Sequence, residues 1–222
     1  MDKRIGQGVM NYDVMLESIE DHQWFVDLCQ QGYYKNVGEE SRKTWLDKAN
    51  NKGHICFWQK YTKGRHGNGL DIGYKGYLND VVPILPTARG LTLDDYDGIH
   101  LPVPNNSQDY IYSSHVLEHI DNRKEVIKDW YRALKVGGFI ICVVPHKHLY
   151  EKKESLPSRF NEDHKIFYTP SILIKEFEDA LPTNSFRVRH LRDNDEGHHY
   201  DDPPEMHGRG LYEIEVVLEK IK

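Results

Sequence analysis

Short apolar runs alternate with amphipathic segments along the middle of the chain. The runs predict buried strands at about residues 69–72, 89–93, 109–113 and 138–144. Apolar residues recur at helical spacing from about 122 to 135, and Gly137-Gly138 is typical of the end of a helix. Strands that alternate with helices in this way predict an α/β fold with a doubly wound, mostly parallel sheet.

The last part of the chain has a different pattern. Thr169-Pro170 predicts the start of a helix that runs through Leu181, because proline suits the first helical position. Residues 186–191 and 211–218 alternate apolar and polar positions, which predicts two antiparallel strands that form a hairpin. We expect this hairpin to close one edge of the sheet.

The N-terminal part is predominantly helical in its pattern. Apolar spacing predicts helices over residues 12–31 and 38–50, and the aromatic stretch at 54–61 has no clear period. We therefore distinguish an N-terminal helical extension, residues 1–62, from an α/β domain, residues 63–222, and expect one structural domain in all. A chain of 222 residues is long enough for a single sizeable core.

Composition and charge narrow the class of protein. The formal net charge is −6, and no run of lysine and arginine offers a footprint for nucleic acid. The 3 cysteines have no metal-ligand spacing and are typical of reduced thiols in a cytosolic protein. No segment has transmembrane length, and the first residues lack an apolar signal-peptide core. We expect a cytoplasmic protein without a membrane span.

The most informative chemistry lies at the ends of the first two predicted strands. Residues 69–73 (GLDIG) contain Asp71 and Gly73, and the second strand ends in Asp94 and Asp95. Parallel strands bring their carboxyl ends to one edge of a sheet, where ligands bind in doubly wound folds. Glycine lets the backbone approach a ligand closely, and an acid can hold two ribose hydroxyls. The pattern therefore predicts a nucleoside-binding crevice.

Five motifs then follow one another in the order of a known family. They are the GLDIG segment, the acids after the second strand, the segment from Leu101 to Asp109, the triplet Leu117-Glu118-His119 and the turn from Arg132 to Gly138. Over roughly residues 67–180 they resemble the class I S-adenosylmethionine-dependent methyltransferases, and the chain is similar to a bacterial group with type-11-like methyltransferase domains. The resemblance implies a Rossmann-like sheet of seven strands with a C-terminal antiparallel hairpin. It also implies that the N-terminal extension is either a helical lid over the ligands or a layer covering one sheet face.

The same resemblance implies the cofactor, S-adenosyl-L-methionine, and the residues that bind it. These are Asp71, Gly73, Tyr74 and Ser114 for the methionine end, Asp94 for the ribose, and Asp97 with Gly98 for the adenine amine. This chain has Lys75 and Tyr77 where the family usually has glycine. The departure leaves a second interpretation open, a non-catalytic or regulatory module that binds S-adenosylmethionine or another nucleoside.

Residues 115–119 (HVLEH) have three interpretations. The H-x-x-E-H spacing matches the inverted zinc peptidases, which makes a zinc hydrolase a remote alternative. Within the methyltransferase resemblance, His115, Glu118 and His119 could bind a divalent metal together with His164, as Glu-x-x-Glu-His does in a few members of the superfamily. The third interpretation is structural, with the triplet beginning a helix. We favour the structural interpretation and expect no metal.

The expected reaction is methyl transfer to a hydroxyl, with S-adenosyl-L-homocysteine as the product. A hydroxyl acceptor must lose a proton, and histidine suits the base that takes it. His146 and His164 are the first candidates for this base, and His115 is the third. The histidines favour O-methylation of a small molecule or of a sugar or glycan precursor.

Overall fold

The computed structural model describes residues 20, 23–24, 26–28, 30–33, 61–74 and 81–222. The described residues between 20 and 30 are helical, within the helix predicted over 12–31. The rest of the predicted extension lies outside the described residues, as do Lys75 and Tyr77 of the loop after the first strand.

One mixed sheet organises the described part of the chain. Its strands are β1 (Gly69–Ile72), β2 (Ala88–Leu91), β3 (Gln108–Ser114), β4 (Leu134–Pro145), β5 (Phe186–Asn194) and β6 (Glu213–Lys220). They lie in the order β2-β1-β3-β4-β6-β5. The first four are parallel, and β6 pairs antiparallel with both β4 and β5.

The described residues form six strands, the number that the apolar pattern predicts, whereas the family resemblance implies seven. Residues 92–107, between β2 and β3, contain turns and no strand. The carboxylate of Asp95 accepts a hydrogen bond from the backbone N–H of Thr92 at 2.7 Å. Asp97 likewise accepts from the N–H of Ile99 at 2.9 Å and of His100 at 2.6 Å. These side chains satisfy the backbone of tight turns and so favour turn over strand.

The two described α-helices agree in position with the predicted ones. They are α1 (Arg123–Ala133) and α2 (Pro170–Ala180), and the hydroxyl of Thr169 caps α2 by accepting from the N–H of Ile172. α1 ends before the predicted glycine pair because Leu134 is already buried and pairs with Gln108 of β3. β4 therefore begins earlier than the predicted start at 138. Among the described residues, no helix combines the length and hydropathy needed to cross a membrane.

Apolar side chains cover both faces of the sheet. On one face, Trp130 of α1 and Phe177 of α2 pack against strand residues such as Ile140. On the other, Leu28 and Tyr61 from the predicted extension pack with residues such as Tyr110. The covered sheet leaves the carboxyl ends of β1, β2 and β3 at one edge.

Candidate functional site

A cleft of about 660 Å³ opens at the carboxyl ends of β1, β2 and β3. The turns that follow β1 and β2 and the segment that follows β3 all contribute to its lining. The residues lining it include Gly73, Thr92, Leu93, Asp94, Tyr96, Asp97, Gly98, Ile99, His115, Val116, His119, Ile120 and Asp163. Five of the predicted site residues, Gly73, Asp94, Asp97, Gly98 and His115, are therefore brought to one cavity.

Gly73 shapes the floor of the cleft. Its φ of 75° lies in the left-handed region, where glycine carries no steric penalty. Its N–H donates to the carbonyl of Leu91 at 2.8 Å, which ties the end of β1 to the end of β2. A Cβ at this position would lie 2.5 Å from Cγ2 of Val116, so a larger residue would push into the wall that follows β3.

The two acids after β2, Asp94 and Asp95, differ in the hydrogen bonds that their carboxylates accept. Asp95 accepts from the N–H and the hydroxyl of Thr92, and these bonds lower its pKa. Asp94 lines the cleft, is exposed, and its carboxylate forms no hydrogen bond with a described residue. Asp94 is thus the acid that can bind a ligand without giving up a bond that shapes the turn.

Asp97 is also exposed and lines the cleft, and its carboxylate already has hydrogen-bond partners. Its Oδ2 lies 2.7 Å from Nδ1 of His100. This hydrogen bond, with those from the backbone of His100 and Ile99, lowers the pKa of Asp97 to about 2. The carboxylate therefore stays ionised at neutral pH.

The other predicted cofactor residues lie outside the lining of the cleft. Asp71 is 0% exposed, and its Oδ2 accepts from the N–H of Ile84 at 2.6 Å, which fixes the chain that leads into β2. Ser114 is buried at the end of β3, and its hydroxyl has no hydrogen-bond partner among the described residues. Tyr74 packs against Gly90 of β2. These residues support the loops behind the cleft.

His115 follows β3 directly and projects into the cleft. Its φ of 54° is unusual for a residue with a Cβ, and such strain is typical of functional positions. Its Nδ1 lies 3.7 Å from Oε1 of Glu118, and its Nε2 lies 3.6 Å from Oε1 of Glu213. Both carboxylates are 1% exposed, so His115 lies between two buried acids.

His119 and His164 form a second group beside it. Their rings pack edge to face with centroids 4.8 Å apart. Nδ1 of His164 lies 2.5 Å from Oε1 of Glu151, and both side chains are buried. Burial, and then the neighbouring His164, lower the pKa of His119, so this imidazole is neutral at pH 7. Glu118, His119 and His164 each offer one potential ligand atom, and these atoms lie within 4.8 Å of one another.

His146 lies apart from this group. Its Nδ1 accepts from the N–H of His148 at 3.1 Å, and its Nε2 lies 3.7 Å from Oδ1 of Asp193. Burial lowers its pKa. The structure therefore separates the three predicted bases: His115 lines the cleft, His164 lies behind His119, and His146 faces β5.

The segment around His115 does not have the geometry of a zinc peptidase. That motif needs both histidines on one face of an α-helix. Here the helical part is a three-residue 3-10 turn, Leu117–His119, and His115 precedes it with left-handed backbone. The remote zinc-hydrolase interpretation therefore loses its structural basis.

The sequence analysis did not predict a role for Glu151 and Glu213. Their carboxylates lie beside His164 and His115, respectively. Glu213 begins β6, where its buried position interrupts an otherwise apolar pattern. Glu151 ends a short π-helical turn, Lys147–Glu151, after β4. For Glu213, an acid placed where the strand pattern requires burial was the available signal. Glu151 gave no such signal.

Comparison with known proteins bears on this fold and its cleft. Residues 84–142 match the family described as methyltransferase domain. The matched range begins before β2 and ends within β4, so it includes the turns after β2 and β3. The sequence matches none of the curated proteins.

Solved structures share the architecture over most of the chain. The complex of the Haloferax volcanii Trm112 methyltransferase activator with a methyltransferase gives 14% identity over 83% of this chain and 99% of that chain, with a TM-score of 0.51. A SAM-dependent methyltransferase from Aquifex aeolicus gives 13% identity over 86% and 98%, with a TM-score of 0.50. The 4+2 cyclase SpnF gives 12% identity over 78% and 82%, with a TM-score of 0.53. At these identities the matches establish the fold.

Proposed function

We propose that this chain, whose resemblance to the class I S-adenosylmethionine-dependent methyltransferases is supported by its fold and its methyltransferase domain, O-methylates a small molecule or a sugar or glycan precursor. One observation carries the proposal. A single cleft is lined both by Asp94, whose carboxylate is available, and by His115, which lies between two buried acids.

The residues that line the cleft after β1 and β2 suit a nucleoside cofactor. Asp94 is free to accept hydrogen bonds from two ribose hydroxyls. Gly73 and Gly98 both have positive φ and carry no side chain into the cavity, so the backbone can approach a ligand. We assign Asp97 and Gly98 to the adenine side and Gly73 to the methionine side. Asp71, Tyr74 and Ser114 support these loops from behind.

The histidines that line the cleft suit the acceptor. When bound, S-adenosylmethionine supplies an electrophilic methyl group on a sulfonium. This chain must then align a hydroxyl, keep water away and take up the hydroxyl proton. His115 is the proposed proton acceptor, because its imidazole lines the cleft and the carboxylates of Glu118 and Glu213 would stabilise the imidazolium.

Size and charge favour a small acceptor. A cleft of about 660 Å³ falls within the range of small-molecule sites. Several acidic residues line it, and the chain as a whole carries a net charge of −6. Such a surface repels the phosphates of a nucleic acid.

Calorimetry and a methyl-transfer screen test the proposal. Purified protein should bind S-adenosylhomocysteine with one site per chain. A screen of sugars, nucleotide sugars and phenols should then release S-adenosylhomocysteine from S-adenosylmethionine with at least one acceptor. Failure to bind the cofactor would refute the proposal. Binding without transfer to any of these acceptors would instead favour a regulatory S-adenosylmethionine-binding module.

A further inference from the structure

A cluster of buried carboxylates and histidines borders the cleft at His115 and His119. Glu118, Glu151 and Glu213 are each 1% exposed, and their described ion-pair partners are His115, His119 and His164. Burying carboxylates is costly unless their charge is compensated. A bound cation would compensate part of this buried negative charge.

We infer that Glu118, His119 and His164 bind one divalent first-row transition-metal ion. One carboxylate oxygen and two imidazole nitrogens lie within 4.8 Å of one another, close enough for small side-chain movements to bring them onto a common ion. Two imidazoles with one carboxylate suit zinc, iron, cobalt and manganese and leave coordination positions open.

A second, independent observation concerns the far side of His164. Metal-ligating histidines usually donate their other ring N–H to a carboxylate, which fixes the tautomer and the ring orientation. Nδ1 of His164 lies 2.5 Å from Oε1 of Glu151. The other carboxylate oxygen of Glu151 accepts from the hydroxyl of Ser158 at 2.6 Å, so the acid is itself held. This arrangement leaves Nε2 of His164 for the ion.

The backbone also holds the ligands together before any ion binds. The N–H of Lys165 donates to the carbonyl of Glu118 at 2.7 Å, which joins the segment of His164 to the turn of Glu118 and His119. Ligands that are distant in sequence are thus preorganised. The expectation from sequence was a structural role without metal, since sequence spacing showed neither this join nor Glu151.

The position of the site suggests its role. The side chain of His119 is 32% exposed and lines the cleft, so an open coordination position would face the acceptor. A hydroxyl bound there would lose its proton to His115 more easily, because a divalent ion lowers the pKa of a bound oxygen. This role rests on the proposed function, whereas binding of the ion does not.

Titration of metal-free protein with Mn²⁺, Co²⁺ and Zn²⁺ tests the inference. Full-length protein is dialysed against chelator, and binding is followed by calorimetry and, for Co²⁺, by visible absorption. We expect one ion per chain with at least one of the metals. His119→Ala should weaken binding roughly 100-fold or more, and Glu151→Gln by about 10–100-fold, the usual effect of removing a supporting partner.

His190→Ala is the matched control. Nε2 of His190 lies 3.4 Å from Oε2 of Glu215, a His–Glu pair of β5 and β6 outside the cluster. This variant should bind metal like the wild type. Thermal melting shows whether each variant is folded. His119→Ala should disturb the fold least, because the side chain of His119 is partly exposed. An absence of one-site binding in the wild type, or equal binding by folded His119→Ala, would overturn the inference.

S-adenosylhomocysteine binding is measured on the same metal-free samples. Cofactor binding without metal binding would refute the metal site and leave the proposed function standing. Metal binding without cofactor binding would refute the proposed function and leave the metal site standing.

Discussion

The ring of Tyr74 occupies the space that a side chain on Gly90 would need. A Cβ built on Gly90 would lie 2.4 Å from Cε1 of Tyr74. Tyr74 follows Gly73 in the loop after β1, and Gly90 lies in β2, where it is opposite Asp71. The contact therefore anchors the loop that forms the cleft floor to the neighbouring strand.

Gly90→Ala should displace Tyr74 and disturb this loop. Overpacking of this kind costs about 1–3 kcal/mol. Chemical denaturation should show that loss of stability, and calorimetry should show weaker S-adenosylhomocysteine binding. In the double variant Tyr74→Ala/Gly90→Ala the clash is absent, so the two substitutions should be strongly non-additive. Additive losses would mean that Tyr74 does not anchor the loop.

Asp94→Ala should weaken S-adenosylhomocysteine binding without changing the fold. Loss of hydrogen bonds to a charged group costs about 1.5–3 kcal/mol, or roughly a factor of ten to a hundred in affinity. Calorimetry measures the affinity, and thermal melting should match the wild type because Asp94 holds no part of the turn. Asp201→Ala, an exposed acid outside the cleft, is the control. Normal binding by Asp94→Ala would mean that another acid holds the ribose.

The general architecture could be predicted from the sequence. Residues 69–72 and 170–181 were predicted with nearly their observed bounds, because a buried apolar run and a proline at the first helical position act locally. The apolar pattern predicted six strands, and the described residues form six. The family resemblance implied a seventh strand. Between β2 and β3, however, the carboxylates of Asp95 and Asp97 accept hydrogen bonds from nearby backbone N–H groups and stabilise turns.

The candidate site was predictable only in part. Strand ends meet at one edge of a parallel sheet, so Gly73, Asp94 and His115 could be placed together from sequence. The difference between Asp94 and Asp95 depends on which carboxylate turns back to Thr92, and sequence adjacency does not reveal it. Glu151 approaches His164 through tertiary packing and followed no local rule.

The ionic interaction between Asp97 and His100 should depend measurably on pH. The hydrogen bond to Asp97, followed by its charge, raises the pKa of His100 above 6.5, while Asp129 and Arg132 act on it in opposite directions. The charged pair is therefore present below pH 6.5 and is lost as the pH rises through the raised pKa of His100. At the acid side it is complete above pH 3.8 and is lost as the pH falls towards the pKa of Asp97, about 2.

NMR titration of the histidine ring signals checks this pair. In Asp97→Asn the pKa of His100 should fall towards 6.5, its ordinary value. Saturation with S-adenosylhomocysteine should also lower it, because an adenine amine that donates to Asp97 would compete for the carboxylate. The ring signals of His190, which lies in β5 outside the cleft, serve as the reference in both experiments. An unchanged pKa of His100 on ligand binding would remove Asp97 from the adenine site.

His115→Gln should reduce kcat far more than His146→Gln. His115 lines the cleft between Glu118 and Glu213, whereas His146 lies against His148 and Asp193 and outside the lining. General base catalysis contributes about 10²–10⁴-fold, so that is the expected loss for His115→Gln on a confirmed hydroxyl acceptor. Its affinity for S-adenosylhomocysteine should stay near that of the wild type, which separates a chemical role from a structural one. If His146→Gln lost the greater part of kcat instead, the acceptor would have to approach from β5, and the assignment of the proton acceptor would pass to His146.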